Sequence, residues 1–220
     1  MQPRARAHGS LSNVAGAAHV LRAELRTLLR HRRGVRAARK LDYSESLLLN
    51  LGCGTKVKPG WLNVDLVPEA DLTLDLREPF PFPNGCAAAT YCEHVFEHFD
   101  YPGAAERFLE ECHRVLHVGG TISIGVPDTE RILREYVTGG DEWFALWRRL
   151  AHPSWCHTHL DQVNFHFRQI EEHRYAYDGE TLLLRLAAAG FADGRVRPFD
   201  PALDSEDRRL GTLYVEATRV

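Results

Sequence analysis

The chain has 220 residues, of which 44% are hydrophobic and 26% charged, with a formal net charge of −3. These values suit one well-buried α/β domain. Five cysteines, an odd number without a C-x-x-C pair, suggest neither a disulfide framework nor a zinc knuckle, so we expect a reduced, cytoplasmic protein. Because the sequence lacks an uninterrupted apolar run of about 18–20 residues, we expect neither a membrane span nor a signal peptide.

Basic residues are concentrated at the start of the chain. Residues 1–40 hold ten arginines and lysines and one acid, whereas residues 41–220 hold 17 basic and 29 acidic residues. Leucines at helical spacing, with arginines on the other face, predict an amphipathic helix over 14–40. We therefore expect a basic N-terminal arm, residues 1–40, that docks on the acidic body of its own or a neighbouring chain, with a peptide or nucleic-acid grip as the sharper alternative.

The next two apolar runs end at residues that suit a ligand. Residues 47–51 stop at Gly52 and Gly54, as expected for a buried parallel strand that enters a tight turn where missing side chains admit a ligand. Residues 61–64 end at Asp65, whose carboxylate suits the two hydroxyls of a ribose. The connection is too short for a full crossover helix, so we expect the arm helix to cover the sheet face left bare.

Further runs continue the alternation of strands and helices. Strands are predicted over 71–76, which contains Asp75, over 87–92, over 121–126, over 195–199 and over 213–220. Helices are predicted over 102–117 and from the capping residue Asp178 to 189. Between them, residues 132–150 are rich in helix formers and aromatics, and residues 151–177 are histidine-rich and the least regular part of the chain.

The order of the motifs resembles the small class I methyltransferases that use S-adenosylmethionine, in particular a subgroup like the type 11 methyltransferases. The motifs are Leu-Asn-Leu-Gly-Cys-Gly, Gly-Trp-Leu-Asn-Val-Asp, Asp-Leu-Arg-Glu-Pro-Phe-Pro-Phe, Tyr-Cys-Glu-His-Val-Phe-Glu-His and Val-Leu-His-Val-Gly-Gly-Thr-Ile-Ser-Ile-Gly-Val-Pro-Asp. The resemblance implies an α/β fold with a Rossmann-like, doubly wound, mostly parallel seven-stranded sheet, an antiparallel terminal strand, and a first crossover helix that is short or absent. It also implies a methyltransferase domain over 41–220, with a substrate lid inserted at 127–177.

The same resemblance implies a cofactor site at the ends of four strands, with S-adenosylmethionine as cofactor and S-adenosylhomocysteine as product. The implied residues are Leu51, Gly52, Cys53, Gly54, Asp65, Leu66, Asp75, Leu76, Cys92 and Glu93. The first turn would admit the cofactor, Asp65 would bind the ribose and Asp75 would meet the adenine. Glu93 would border the methionine end.

Histidines are the candidates for a general base, and aromatics of the lid are candidates for substrate contacts. The candidate catalytic residues are His98, His157, His159 and His166. The candidate substrate residues are His94, Trp143, Trp147, His173 and Tyr177. We predict a metal-free site. An alternative, implied by relatives that hold a divalent ion beside a Glu-His pair, places zinc, iron or manganese at His94, Glu97 and His98 with His157 or His159 as fourth ligand.

These features predict a biosynthetic enzyme that methylates an oxygen of a specialised metabolite, a sugar or a peptide carboxylate. Its partners are expected to be a small-molecule or peptide substrate, without membrane or nucleic acid, and its assembly a monomer or a homodimer. The rival hypothesis is a catalytically inactive binding protein that uses the basic arm to grip a peptide or nucleic acid. A nicotinamide oxidoreductase is disfavoured because the glycine pattern lacks G-x-G-x-x-G.

Overall fold

A seven-stranded sheet forms the centre of the computed structural model, which describes residues 10–220. The strands are β1 (Leu47–Leu51), β2 (Leu62–Asp65), β3 (Leu72–Thr73), β4 (Ala87–Glu93), β5 (Leu116–Pro127), β6 (Phe191–Arg197) and β7 (Thr212–Arg219). Their order across the sheet is β3-β2-β1-β4-β5-β7-β6, and β7 is antiparallel to both of its neighbours. The predicted fold class, a mostly parallel doubly wound sheet with an antiparallel terminal strand, is confirmed.

Helices precede the sheet and fill its later connections. They are α1 (Ser10–Ala38), α2 (Ala104–Val115), α3 (Thr129–Thr138), α4 (Asp141–Leu150), α5 (His159–Arg168) and α6 (Gly179–Ala188). Asp178 caps α6 as predicted, because its carboxylate accepts a 2.8 Å hydrogen bond from the Thr181 N–H. Residues 151–177, predicted to be the least regular part of the chain, contain a helix that the sequence analysis does not predict, since Thr158 and Asp161 form a capping box that starts α5.

The two faces of the sheet differ in polarity. One face carries apolar side chains that pack with α2 and α6: Leu49, Leu51, Val64, Ile122, Ile124 and Val215. Strand register places polar side chains on the opposite face: Asn50, Asn63, Tyr91, Ser123 and Glu216. The connections from β1 to β2, from β2 to β3 and from β3 to β4 are loops, so this polar face lies where crossover helices would otherwise pack.

The segment between β6 and β7, residues 198–211, covers the polar face. Asp204 lies 2.6 Å from the Arg197 guanidinium in a buried ion pair and accepts a 3.2 Å hydrogen bond from the Tyr91 hydroxyl. The Lys58 ammonium lies 4.3 Å from the centre of the Tyr91 ring. The expectation that the arm helix covers a bare sheet face is therefore wrong, because this face is polar and the β6–β7 segment fills it.

Helix α1 docks at the edge of the sheet through its C-terminal turns. A Cβ on Gly34 would come within 1.9 Å of the Thr73 carbonyl oxygen, so the helix runs unbroken through Gly34 and touches the backbone of β3 there. Ala38 is fully buried. The leucine stripe further back is uncovered, since Leu21 is 61% exposed and Leu25 is 50% exposed. The buried part of the contact with the domain thus lies in the last turns of the helix, and Glu24 reaches the exposed Arg77 from further back.

Helices α3, α4 and α5 form a separate layer beside the carboxyl ends of β4 and β5. They share a small core of their own, built from Ile132, Phe144 and Val163 with Trp143 against it. This layer coincides with the segment in which the sequence predicts a lid. Within residues 10–220, none of the helices has both the length and the apolar character that crossing a lipid bilayer requires.

Candidate active site

The turn after β1 contains two glycines, and the space beside the Cα atom is free at Gly54 but occupied by a side chain at Gly52. Gly52 and Gly54 both have positive φ, 74° and 50°. A Cβ on Gly52 would lie 2.3 Å from a methyl group of Val95, so this glycine makes room for that side chain. A Cβ on Gly54 would meet nothing within 4 Å. The space for a ligand against the backbone is therefore at Gly54 rather than at Gly52.

Asp65 at the end of β2 faces this turn. Its Oδ2 accepts a 2.7 Å hydrogen bond from the Gly54 N–H, and its Oδ1 accepts one from the Leu66 N–H. Each carboxylate oxygen can accept a second hydrogen bond, so both remain able to bind ribose hydroxyls. The residues of the first turn and of the β2 end thus fit the nucleoside part of S-adenosylmethionine.

The other two predicted strand-end carboxylates are paired within the chain. Asp75 accepts hydrogen bonds from Arg77 Nε at 2.9 Å and Nη2 at 2.7 Å. Burial alone would raise the pKa of Asp75, but the hydrogen bonds and charge of Arg77 outweigh it and lower that pKa. Glu93 accepts from the Tyr214 hydroxyl at 2.9 Å and the Ser205 hydroxyl at 2.5 Å. Buried side chains fill most of the remaining predicted positions: Leu51, Cys53, Leu76 and Cys92.

A cavity of about 300 Å³ opens at the carboxyl ends of β4 and β5. Five predicted site residues line it: His94, Trp143, Trp147, His166 and His173. A Cβ on Gly211 would lie 2.4 Å from the Trp147 ring, so the indole closes the cavity by packing on bare backbone. The structure therefore brings together one candidate base and four candidate substrate residues.

Three histidines face one buried carboxylate beside this cavity, and two of them, His94 and His173, line it. Glu97 Oε1 lies 3.7 Å from His94 Nδ1, 3.8 Å from His98 Nε2 and 3.9 Å from His173 Nε2. Glu97 is 2% exposed, and within the described chain neither of its carboxylate oxygens accepts a hydrogen bond. Burial raises the pKa of Glu97 to about 8, and burial lowers the pKa of His94 to about 3.

The remaining predicted residues lie outside the cavity lining. His157 is exposed at the start of α5, and His159 stacks on Phe144 with ring centroids 4.2 Å apart. Tyr177 is buried in the main core, where its ring lies 4.9 Å from that of Phe96. Neither His157 nor His159 belongs to the group of side chains around Glu97.

The cavity also contains residues that the sequence does not single out. They include Asp128, His152, Gln169, Arg208 and Thr212. Arg208 donates a 2.7 Å hydrogen bond to the Glu93 carbonyl oxygen, which ties the β6–β7 segment to the end of β4. These partners are 115 positions apart in the chain, so local pattern carries no signal for the contact.

Comparisons with known proteins give one family match and several similar solved structures. Residues 49–124 match a family model described as a methyltransferase domain. A search of curated proteins finds no match. Among solved structures, the chain is similar to a SAM-dependent methyltransferase from Thermotoga maritima described as a possible histamine N-methyltransferase, with 18% identity, 91% of this chain and 96% of that chain covered, and a TM-score of 0.48. It is also similar to a SAM-dependent methyltransferase from Archaeoglobus fulgidus, with 17% identity, 86% and 94% covered, and a TM-score of 0.48.

The family match begins in β1 and ends in β5, so it spans the open turn at Gly54 and the Asp65 carboxylate. The strand order places those two features side by side at the carboxyl edge of a parallel sheet, where such folds bind nucleotides. S-adenosylmethionine is the cofactor that this family uses, and the residues present fit it. The chain therefore contains an S-adenosylmethionine-dependent methyltransferase domain, whose family match covers residues 49–124.

Proposed function

We propose that the protein methylates an oxygen of a small acceptor, such as a hydroxyl or carboxylate of a specialised metabolite, a sugar or a short peptide. The observation that carries this proposal is the cavity beside the strand ends of β4 and β5, which adjoins His94, the residue that follows β4. Its volume of about 300 Å³ suits a compact molecule. Two indoles, Trp143 and Trp147, supply flat apolar walls for a ring-shaped acceptor.

The cofactor supplies a methyl group that its sulfonium already activates. The protein then has to align the acceptor oxygen and exclude water, and positioning of this kind can supply several kcal/mol of barrier reduction, roughly 7–11 kcal/mol in well-oriented intramolecular reactions. Trp147 serves both needs, because it is held against Gly211 and closes the cavity. Arg208, which also lines the cavity, offers a cation for an acceptor carboxylate.

A hydroxyl acceptor additionally has to lose a proton. Burial lowers the pKa of both His94 and His166 to about 3, which favours the neutral imidazole but makes each of them a weak base. Those two histidines alone are therefore poorly suited to this step. The cluster of Glu97 with its three facing histidines is better placed to receive the acceptor proton, because two of its members, His94 and His173, also line the cavity.

An acceptor panel tests the proposal. The full-length protein is incubated with S-adenosylmethionine and phenols, sugars, carboxylates or amines, and S-adenosylhomocysteine release and the addition of one methyl group are followed by mass spectrometry. We expect turnover with an oxygen acceptor. Trp147→Ala should lower kcat/KM by at least about tenfold, a loss of roughly 1.4 kcal/mol. Trp155→Ala, which removes a 49% exposed indole outside the cavity lining, serves as the matched control.

The panel also separates this proposal from its rivals. Methylation confined to amines would refute the oxygen acceptor while leaving the methyltransferase assignment in place. Cofactor binding without product from any acceptor class would favour the binding-protein hypothesis, in which the basic arm grips a peptide or nucleic acid.

A further inference from the structure

Hydrogen bonds fix which ring nitrogen carries a proton in two of the histidines around Glu97. His98 Nδ1 lies 3.0 Å from the Glu172 carbonyl oxygen, and His173 Nδ1 lies 2.6 Å from the His166 carbonyl oxygen. A carbonyl oxygen only accepts hydrogen bonds, so Nδ1 is the protonated nitrogen in both rings. In the neutral form, each Nε2 therefore presents a lone pair, and both face the Glu97 carboxylate.

For the third histidine, His94, the protonated ring nitrogen follows from a hydrogen bond to a hydroxyl group. Thr212 donates its only hydroxyl hydrogen to the Arg208 carbonyl oxygen at 2.6 Å, so its Oγ1 accepts from His94 Nε2 at 2.8 Å. The lone pair of His94 is then on Nδ1, 3.7 Å from Glu97 Oε1. Three imidazole lone pairs and a buried carboxylate thus converge without a donor among them, which is unfavourable unless a cation or a proton lies between them.

The spacing of these atoms suits a metal ion. One ligand atom each from Glu97, His98 and His173 lie within 4.8 Å of one another. The separations of 3.8 and 3.9 Å from Glu97 Oε1 are too long for hydrogen bonds. Two ligands that each lie about 2.0–2.2 Å from one ion can be up to roughly 4 Å apart, so an ion between these atoms would need only a small closure of the side chains.

We propose that Glu97, His98 and His173 bind one divalent transition-metal ion, with His94 completing the site on the side of the cavity. Imidazole with a carboxylate suits zinc, iron, cobalt or manganese better than magnesium. Ring N–H groups held by backbone carbonyls are also the arrangement typical of metal-binding histidines. The sequence-derived alternative named His157 or His159 as fourth ligand, but the structure places His173 beside Glu97 instead.

The local backbone supports the same assignment. Residues 169–171 all have positive φ without a glycine among them, at 36°, 58° and 74°. Such a conformation costs free energy, about 1–3 kcal/mol at each residue, and is kept where the surrounding structure demands it. This turn delivers the Glu172 carbonyl, which holds His98, and His173 itself. The 169–171 turn therefore positions two of the three proposed ligands, His98 and His173.

The position of the ion indicates its use. His94 and His173 line the acceptor cavity, so a bound ion would sit in the cavity wall, where it could hold an acceptor hydroxyl and lower the pKa of that hydroxyl. This role rests on the proposed function. Metal binding itself does not, because it follows from the protein side chains alone.

Metal binding can be measured without turnover. The full-length protein is stripped with a chelator, dialysed and titrated with Co²⁺, whose visible d–d absorption reports its coordination, and with Zn²⁺ by calorimetry. We expect one ion per chain, an absorption band of low-coordinate cobalt, and a rise in Tm on binding. Mg²⁺ at the same concentration should have little effect. Glu97→Gln and His98→Ala should each weaken Co²⁺ binding by at least about tenfold.

Controls keep the outcome decisive. His117→Ala removes a partly exposed histidine whose Nδ1 also bonds a carbonyl, at the start of β5 and thus at the opposite end of that strand from the cavity, and should leave Co²⁺ affinity unchanged. S-adenosylhomocysteine affinity, measured for every variant, shows that the fold and cofactor site are intact. Absence of stoichiometric binding would overturn the proposal in favour of a proton-sharing cluster, and binding that survives Glu97→Gln and His98→Ala would identify the ion as adventitious. Stoichiometric binding without methylation of any acceptor would refute the proposed function and leave the metal site standing.

Discussion

The Asp65 carboxylate accepts a 2.7 Å hydrogen bond from the backbone N–H of Gly54, and this contact joins the ends of β1 and β2 into one ligand-facing corner. Gly54 has open space on its Cα, whereas Gly52 is covered by Val95. The corner therefore combines a bare stretch of backbone with a carboxylate that can still accept hydrogen bonds. Nucleoside recognition needs both features.

Substitution of Gly54 should weaken cofactor binding, whereas the same change at Gly60 should not. Gly54→Ala places a methyl group in the open space and strains a residue with φ of 50°, so we expect S-adenosylhomocysteine affinity to fall by at least about tenfold. Gly60→Ala is the matched control, because Gly60 has φ of 79° and is equally uncrowded. Both variants should lose about 1–3 kcal/mol of stability. Equal affinity in both, by calorimetry, would contradict this account of the corner.

Helix α1 offers a second matched pair of glycines. Gly34→Ala would force a Cβ to within 1.9 Å of the Thr73 carbonyl oxygen, so the helix must shift and stability should fall by about 1–3 kcal/mol. Gly16→Ala, in the same helix with nothing within 4 Å, should instead be neutral or stabilise the helix by up to about 1 kcal/mol. Urea denaturation of both variants measures the difference. Equal stability of the two would mean that α1 is not docked on β3.

The ion pair of Asp75 with Arg77 predicts a pH-dependent contribution to stability. Arg77 also contacts Glu24 of α1 at 3.0 Å, so the pair links the domain to the arm. Because the pKa of Asp75 is lowered in the folded state, its contribution is present above the unfolded value of 3.8 and is lost as the pH falls through the folded pKa. Asp75→Asn should cost about 1–3 kcal/mol at pH 7, and the cost should shrink below about pH 3.8.

Denaturant unfolding of the wild type and Asp75→Asn at several pH values checks that expectation. Glu78→Gln, a change at an exposed neighbouring acid, provides the comparison for general charge effects. A cost for Asp75→Asn that stays constant down to the lowest pH would show that the carboxylate charge is not responsible.

The β6–β7 segment should contribute to stability through its buried pair rather than its exposed one. Asp204 is fully buried against Arg197, so Asp204→Ala leaves a buried guanidinium without its partner and should cost about 3–5 kcal/mol. Asp207 is 64% exposed in its pair with Lys56, and Asp207→Ala should cost less than about 1 kcal/mol. Chemical denaturation of the two variants measures both losses of stability. Similar, small losses would show that the β6–β7 segment does not stabilise its packing on the polar face.

The fold, and the meeting of the Gly54 turn with Asp65, were predictable because their signals are local. Short apolar runs that stop at Gly52 or Asp65 mark strand ends, and parallel strands bring their ends to one edge of a sheet. Helix α5 also had a local signal, since Thr158 and Asp161 have the spacing of a capping box, but the histidines around them obscured it. The polar face was signalled by Asn50 and Asn63 within otherwise apolar strands.

The cavity and the Glu97 cluster depend instead on contacts between distant parts of the chain. His173 lies beside His98 only because the 169–171 turn returns the chain to the end of β4, and the sequence pattern does not encode that return. Asp204 likewise meets Tyr91 across 113 positions. Residue type alone therefore gives more candidate histidines than the site contains. Only the structure shows that His173 lies beside Glu97, whereas His157 and His159 do not.

Titration calorimetry of S-adenosylhomocysteine into the full-length protein and its Asp65→Ala variant tests the central claim most directly. We predict that the wild type binds one molecule per chain, and that Asp65→Ala weakens binding by at least about tenfold, because the ribose loses charge-assisted hydrogen bonds worth about 1.5–3 kcal/mol. Glu69→Ala, which removes an exposed acid from the neighbouring loop, should bind like the wild type. Failure of the wild type to bind, or an unchanged affinity in Asp65→Ala, would contradict the assignment of this corner as the cofactor site.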